Sequence, residues 1–183
     1  MNRQKNTKKK MIKEKYLGAY MKTARVFAEL SSAKRKHVGA VIVKDDRIIS
    51  IGYNGMPSGW DNNCESVEYM SGDAGGWLAP EEINEQWPFV EDDIEPDLGY
   101  ARRYRLKTKQ EVLHAESNAI AKLAKSTESG DGASMFITCA PCMDCAKMIF
   151  QSGIKEVFYA EDYRDDAGIS FLNKCGITVK QIL

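Results

Sequence analysis

SMFITCAPCMDCAKMIFQSGIKEVFY, residues 134–159, is the stretch whose reading decides the fold. Its first residues, Ser134 to Thr138, form a short apolar run that reads as a buried strand. Pro141 lacks the amide hydrogen that the first turn of a helix leaves unpaired, so a helix starts beside it and runs to about Ser152. Gly153 closes that helix as its C-terminal cap, and Glu156 to Tyr159 resumes as strand. Strand, helix and strand in this order imply a parallel pair with the helix packed on one face.

The same punctuation extends in both directions. Downstream, a shorter helix over about Ala167–Lys174, closed at Gly176, precedes a last strand at Ile177–Ile182. Upstream, Leu113–Lys125 reads as a helix, ended by the turn at Gly130–Gly132. Near the start, Leu17, Tyr20, Met21, Ala24, Phe27 and Leu30 recur at three-to-four spacing, the mark of a helix with one buried face. Val38–Val43 and Arg47–Tyr53 are rich in β-branched residues and flank Lys44-Asp45-Asp46, which predicts a hairpin. Together these elements predict a three-layer α/β/α fold around a mixed sheet of about five strands. Residues 16–183 form the single domain of this reading, preceded by a basic tail over 1–15 and interrupted by an insertion over about 62–109. That insertion holds Gly72, Gly75, Gly76, Pro80, Pro88 and Pro96 among acids, with Trp77, Trp87 and Phe89 suggesting that it packs against something.

Composition narrows the class. The chain has 183 residues, 43% hydrophobic and 28% charged, the profile of a soluble globular protein. Its formal net charge is zero, which argues against a protein that holds nucleic acid by its phosphates and favours a small substrate. The exception is the tail, where Arg3, Lys5, Lys8, Lys9, Lys10, Lys13 and Lys15 cluster; a solvated charge run is the plain reading and contact with a polyanion the other. No apolar run approaches the roughly 20 residues of a membrane-spanning helix, so no membrane contact is expected. Five cysteines, an odd number with no signal segment ahead of them, fit a reducing cytoplasm.

The chemistry lies in two short motifs at predicted helix starts. His114-Ala115-Glu116 opens one helix and Pro141-Cys142-Met143-Asp144-Cys145 opens another, with one strand between them. H-x-E followed by P-C-x-x-C is the pattern shared by zinc-dependent nucleobase deaminases. His114, Cys142 and Cys145 supply one imidazole and two thiolates to Zn2+, leaving its fourth position open, as catalytic rather than structural sites do. The positive helix N-termini help keep the thiolates ionised. Zinc lowers the pKa of its water from 15.7 to about 7, and Glu116, two residues from His114, is placed to shuttle protons. Taken singly, C-x-x-C also fits a redox pair or half a zinc knuckle, and H-x-E arises by chance; the pair in this order carries the assignment. Cys64, Cys139 and Cys175 read as ordinary thiols, and His37 as a strand-edge residue.

Val38-Gly39-Ala40-Val41-Ile42-Val43 followed by Gly52-Tyr53-Asn54-Gly55-Met56-Pro57-Ser58-Gly59 resembles the deoxycytidylate (dCMP) deaminases, including those encoded by bacteriophages. Gln151-Ser152-Gly153-Ile154 and Tyr163 resemble that family as well. The resemblance covers about Leu17–Cys64 and Leu113–Tyr163. It implies hydrolysis of dCMP to dUMP and ammonia, feeding thymidylate synthesis, in the cytoplasm of a host cell if the source is a phage. It assigns Asn54, Ala115 and Tyr163 to substrate binding, with Asn54 on the deoxyribose and Tyr163 near the phosphate. It further implies a homo-oligomer, a hexamer in typical members, activated by dCTP and inhibited by dTTP, with Mg2+ on the triphosphate. Gly39, Gly55, Met56 and Gly59 mark the expected effector neighbourhood, since bare amides there can approach phosphates; a plain tight turn is the alternative. Some phage members carry a second, structural zinc. Here only Cys64 matches its ligands, while Ala33 and Tyr104 stand at the others, so one zinc per subunit is expected.

Two other functions share these features. A deaminase of cytosine or adenine in nucleic acid uses the same metal motif but needs a basic groove with stacking aromatics, which the acidic insertion does not offer. A non-catalytic zinc-binding or nucleotide-binding module could keep the fold, yet it has no need of Glu116. The substrate's phosphate partners stay open among Lys34, Arg35, Lys36, Arg102, Arg103, Arg105 and Arg164.

Overall fold

The computed structural model describes residues 12–70, 77–78, 85–91 and 101–182. Most of the basic tail, and Gly72, Gly75, Gly76, Pro80 and Pro96 of the insertion, lie outside the described residues. Those described fall into two compact units, one made of 12–32, 37–55 and 113–182, the other of 33–36 and 56–112.

The first unit holds a five-stranded sheet in the order β2-β1-β7-β8-β9. Strands β1 (Gly39–Lys44) and β2 (Arg47–Tyr53) form the predicted hairpin. Its turn places Asp45 and Asp46 at φ 52° and 61°. Asp tolerates this left-handed region because its short side chain can bond locally, and two such residues match the twist of hairpin strands. β1 pairs antiparallel with β7 (Ser134–Cys139), whereas β7, β8 (Glu156–Glu161) and β9 (Thr178–Gln181) run parallel, so the sheet is mixed as expected.

The alternation of side chains splits the core into two layers. Val41, Val43, Phe136, Phe158 and Ala160 face α1 (Glu14–Ala28), meeting its Met21 and Ala24. Ala40, Ile42, Met135, Ile137, Val157 and Tyr159 face the other way, onto α2 (Ala115–Leu123), α3 (Met143–Gln151) and α4 (Ala167–Lys174). This unit is therefore the predicted three-layer α/β/α arrangement. Gly153 and Gly176 follow α3 and α4 at φ 81° and 74°, the left-handed helix stops that their positions required.

The second unit departs from the expectation. The expected insertion over about 62–109 contains strands, β3 (Glu65–Tyr69), β4 (Trp77–Leu78), β5 (Phe89–Val90) and β6 (Ala101–Thr108), with β3, β4 and β5 each antiparallel to β6. Inward positions of β3 and β6 are charged: Glu65 and Arg103 are both buried. Glu65 Oε1 accepts the Lys34 and Arg35 amides at 3.0 and 3.2 Å, and the Arg103 guanidinium donates to the Trp87 carbonyl at 3.4 Å. Charges at buried positions erase the apolar alternation by which a strand is recognised. Phe89 stacks on Tyr104 at 5.3 Å between centroids, and Arg105 lies over Trp87 at 4.5 Å.

Candidate metal centre

Both motifs sit where a strand or loop turns into a helix of the first unit. His114 is the N-cap residue of α2 and Cys142 that of α3, each with extended backbone (φ −76°, ψ 154° and φ −68°, ψ 169°). N-cap side chains commonly bond back to their own helix, but neither of these does. They turn toward each other instead. His114 Nδ1 lies 3.6 Å from Cys142 Sγ and 3.4 Å from Cys145 Sγ. Among the described residues these three form the one group of donors able to hold a metal ion, with ligand atoms all within 4.8 Å of one another.

The spacing can be tested against zinc. Bonds of about 2.3 Å to sulfur and 2.0–2.1 Å to nitrogen at tetrahedral angles place a sulfur and a nitrogen ligand about 3.5 Å apart. The observed 3.4 and 3.6 Å bracket that value, so the donor set fits the ion. Electrostatics agree. The Cys142 thiol is held down to about 4, first by the hydrogen bond from Cys145 and then by that from His114. Cys145 is pushed up, because it donates to Cys142 and is buried. The pair thus keeps one thiolate and one thiol, and a divalent cation is what allows both to ionise.

Glu116, in the first turn of α2, is buried behind the cluster at 4% exposure. Burial is the largest influence on its carboxyl and raises it to about 7, against the opposing pull of its own amide and of His114. His114 is raised by its bond to Cys142 and by the charge of Glu116.

The packing of α2 fixes these groups. A side chain at Gly52 would put its Cβ 2.1 Å from the Ala115 carbonyl oxygen, so only glycine lets β2 and α2 lie this close. Ser50 Oγ donates to the Ala119 carbonyl at 2.6 Å, Asn118 Nδ2 to the Tyr53 carbonyl at 2.8 Å and Lys122 Nζ to the Ile51 carbonyl at 2.9 Å. Just before His114, Leu113 and Gly55 exchange backbone bonds of 2.9 and 3.1 Å. Gly52, Ser50 and Asn118 were not among the expected site residues. Gly52 sits inside the quoted motif, and a glycine within a strand is itself the signal of a close backbone approach.

The remaining expected residues are placed as follows. Asn54 Oδ1 accepts the Val38 amide at 2.8 Å and its own amide donates to the Val38 carbonyl at 3.0 Å, which fixes the orientation of the side chain. Ala115 is fully buried at the start of α2. Tyr163 is half-buried against the core, with the Arg164 guanidinium 5.2 Å from its ring centroid. Gly39 is glycine for a packing reason, since a Cβ there would lie 2.0 Å from the Ala24 carbonyl oxygen of α1. Met56 and Gly59 belong to the second unit. Met56 packs with Ala33, Cys64 and Val112, and Gly59 takes φ 89°.

Comparison with known proteins points one way. Residues 14–161 match the family model described as the cytidine and deoxycytidylate deaminase zinc-binding region. The deoxycytidylate deaminase of Enterobacteria phage T4 is 39% identical over an alignment of 139 positions that covers 69% of this chain and 67% of that one. The human deoxycytidylate deaminase is 31% identical over 172 residues, covering 90% of this chain and 78% of the relative. The crystal structure of the dCMP deaminase from cyanophage S-TIM5 in complex with dCMP and dUMP superposes with a TM-score of 0.70 at 36% identity. That superposition covers 94% of this chain and 100% of the other.

Proposed function

Because this chain belongs to the cytidine and deoxycytidylate deaminase family, we propose that it hydrolyses dCMP to dUMP and ammonia at the cluster of His114, Cys142, Cys145 and Glu116. The observation that carries the chemistry is the pair of sulfur distances, 3.4 and 3.6 Å from His114 Nδ1, beside a buried carboxyl. The substrate is that named for the relatives of phage T4 and human origin and held by the S-TIM5 enzyme.

On this reading His114 Nδ1 and the sulfurs of Cys142 and Cys145 would hold zinc. When bound, the ion would supply a water acidified from 15.7 to about 7, available for attack at neutral pH. Glu116 does the proton work. Its carboxylate takes a proton from the attacking water and delivers it to the ring nitrogen next to the attacked carbon. It then takes the remaining proton of the added hydroxyl and passes it to the amino group, which leaves as ammonia while the carbonyl of dUMP forms. In the metal-free protein burial raises this carboxyl to about 7, which brings its proton exchange into the neutral range. Asn54, Ala115 and Tyr163 contact the substrate, and residues 16–183 act as one deaminase domain carrying the insertion. Activation by dCTP with Mg2+, inhibition by dTTP and assembly into a homo-oligomer complete the reading, with Gly39, Gly55, Met56 and Gly59 as effector neighbours.

The test is ammonia release from dCMP, deoxycytidine and a cytosine-containing oligonucleotide, each with and without dCTP and Mg2+. Turnover of dCMP alone, raised by dCTP, is the expected result. Turnover of the oligonucleotide and not of dCMP overturns the substrate while keeping the chemistry. No turnover of any of them leaves a zinc-binding module.

A further inference from the structure

Gly168 is the second residue of α4, it is buried, and its backbone is not in the left-handed region. Conformation therefore gives no reason for a glycine there, and in a helix interior alanine is the better residue by about 1 kcal/mol. The reason is what lies against it. A Cβ at this position would fall 2.0 Å from the carbonyl oxygen of Pro141 and 3.0 Å from the carbonyl carbon and oxygen of Cys142. These are backbone atoms with no rotamer to change. Since a Cβ does not come within 3.0 Å of such an atom, α4 or the Pro141–Cys142 peptide has to move by about 1 Å.

That peptide is held on its other sides. The Ala140 amide donates to the Glu161 carbonyl at 2.8 Å, tying the segment to the end of β8. The Cys142 carbonyl accepts the Ala146 amide at 2.9 Å and so belongs to the first turn of α3, the turn that also carries Cys145. A displacement imposed from α4 is passed to both sulfurs, whose distances to His114 Nδ1 already match those of a bound zinc ion.

From this close approach we propose that Gly168 is a positioning residue of the metal centre: by letting α4 lie directly on the Pro141–Cys142 peptide, it sets the distance of Cys142 Sγ from His114 Nδ1. The inference rests on the reading that the cluster holds zinc. Gly168 touches neither metal nor substrate. It acts through the backbone of a ligand, as outer partners of metal sites act through the ligands they hold.

The experiment uses the full chain loaded with zinc. Zinc release to a chromogenic chelator and the thiolate-to-metal absorption of the Co2+-substituted protein are recorded for the parent, Gly168→Ala and Gly176→Ala. The last is a control for lost stability: Gly176 has φ 74°, so alanine is strained there, but its Cβ meets nothing within 4 Å. Gly168→Ala is expected to release zinc about 10–100-fold faster, with an altered Co2+ spectrum and a fall in kcat larger than any change in KM. Gly176→Ala is expected to match the parent in release rate and spectrum. Parental release and spectrum in Gly168→Ala overturn the inference. If Gly168→Ala does not fold, Asp165→Ala decides: Asp165 Oδ1 accepts the Ala167 amide at 3.2 Å and secures the start of α4 from an exposed position. Faster zinc release in Asp165→Ala supports the inference, and an unchanged rate overturns it. A parent that binds no zinc, or a Cys142→Ala variant that binds it equally well, overturns the underlying reading instead.

Discussion

Gly52→Ala tests how closely the proton-transfer machinery depends on the packing of α2. The added Cβ would stand 2.1 Å from the Ala115 carbonyl oxygen, 2.6 Å from the Ala119 amide and 3.1 Å from the Ala119 Cβ. Against a closest approach of 3.0 Å, the first turn of α2 has to retreat from β2 by about 0.9 Å. The retreat acts on the turn that carries Glu116 and follows His114. It also stretches the 2.6 Å bond from Ser50 Oγ to the Ala119 carbonyl. Overpacking of this kind costs about 1–3 kcal/mol, and one lost hydrogen bond about 1 more. A total of about 2–4 kcal/mol is below the roughly 5–15 kcal/mol by which native domains are stable, so the variant stays folded. With a urea dependence of about 2 kcal/mol per molar, the unfolding midpoint falls by about 1–2 M. A catalytic group displaced by about 1 Å loses roughly 10²-fold in rate, so kcat for dCMP falls by about that factor. Urea unfolding followed by far-UV circular dichroism, with steady-state kinetics on the same preparations, reads both. An unchanged midpoint together with an unchanged kcat refutes the account of Gly52.

Three further outcomes follow from the same geometry. Glu116→Gln keeps the shape of the buried side chain but cannot carry protons; zinc content measured by elemental analysis stays at the parental level, while kcat falls by about 10³–10⁴. Zinc binding to the metal-free protein at pH 7 releases at least one proton, that of Cys145, since Cys142 is already ionised, and any share held by His114, Glu116 and the acidified water adds to it; calorimetry in buffers of different ionisation enthalpy counts them, and release of none contradicts the thiol–thiolate pairing. Cys139→Ser removes a buried thiol that donates to the Asp162 carbonyl at 3.6 Å but lies outside the metal cluster, so zinc stoichiometry is unchanged, whereas Cys145→Ser lowers it.

Much of the first unit is legible in the sequence because each of its elements carries local punctuation. The apolar runs of β1, β7 and β8 are continuous, the glycines after α3 and α4 stop their helices, and Asp45-Asp46 marks the hairpin turn. The placement of His114 and of Pro141-Cys142 at helix starts was equally local, which is why the three donors and Glu116 could be named before their distances were known. The second unit was not legible, because Glu65 and Arg103 occupy buried strand positions and hide the alternation of β3 and β6. The roles of Gly52 and Gly168 were hidden for another reason. Each is defined by a backbone atom distant in the chain, Ala115 for one and Pro141 for the other, and pattern within a window cannot report it. The choice of Nδ1 as the ring nitrogen facing the sulfurs is likewise a fact of three-dimensional packing.

In the proposed reading His114, Cys142 and Cys145 hold the zinc on which dCMP deamination depends. The most direct measurement strips the full chain of metal with a chelator, removes the chelator, and follows conversion of dCMP to dUMP as Zn2+ is added back. Loss of turnover on stripping, with full recovery at one Zn2+ per chain, is the predicted result. Undiminished turnover in the metal-free chain contradicts it.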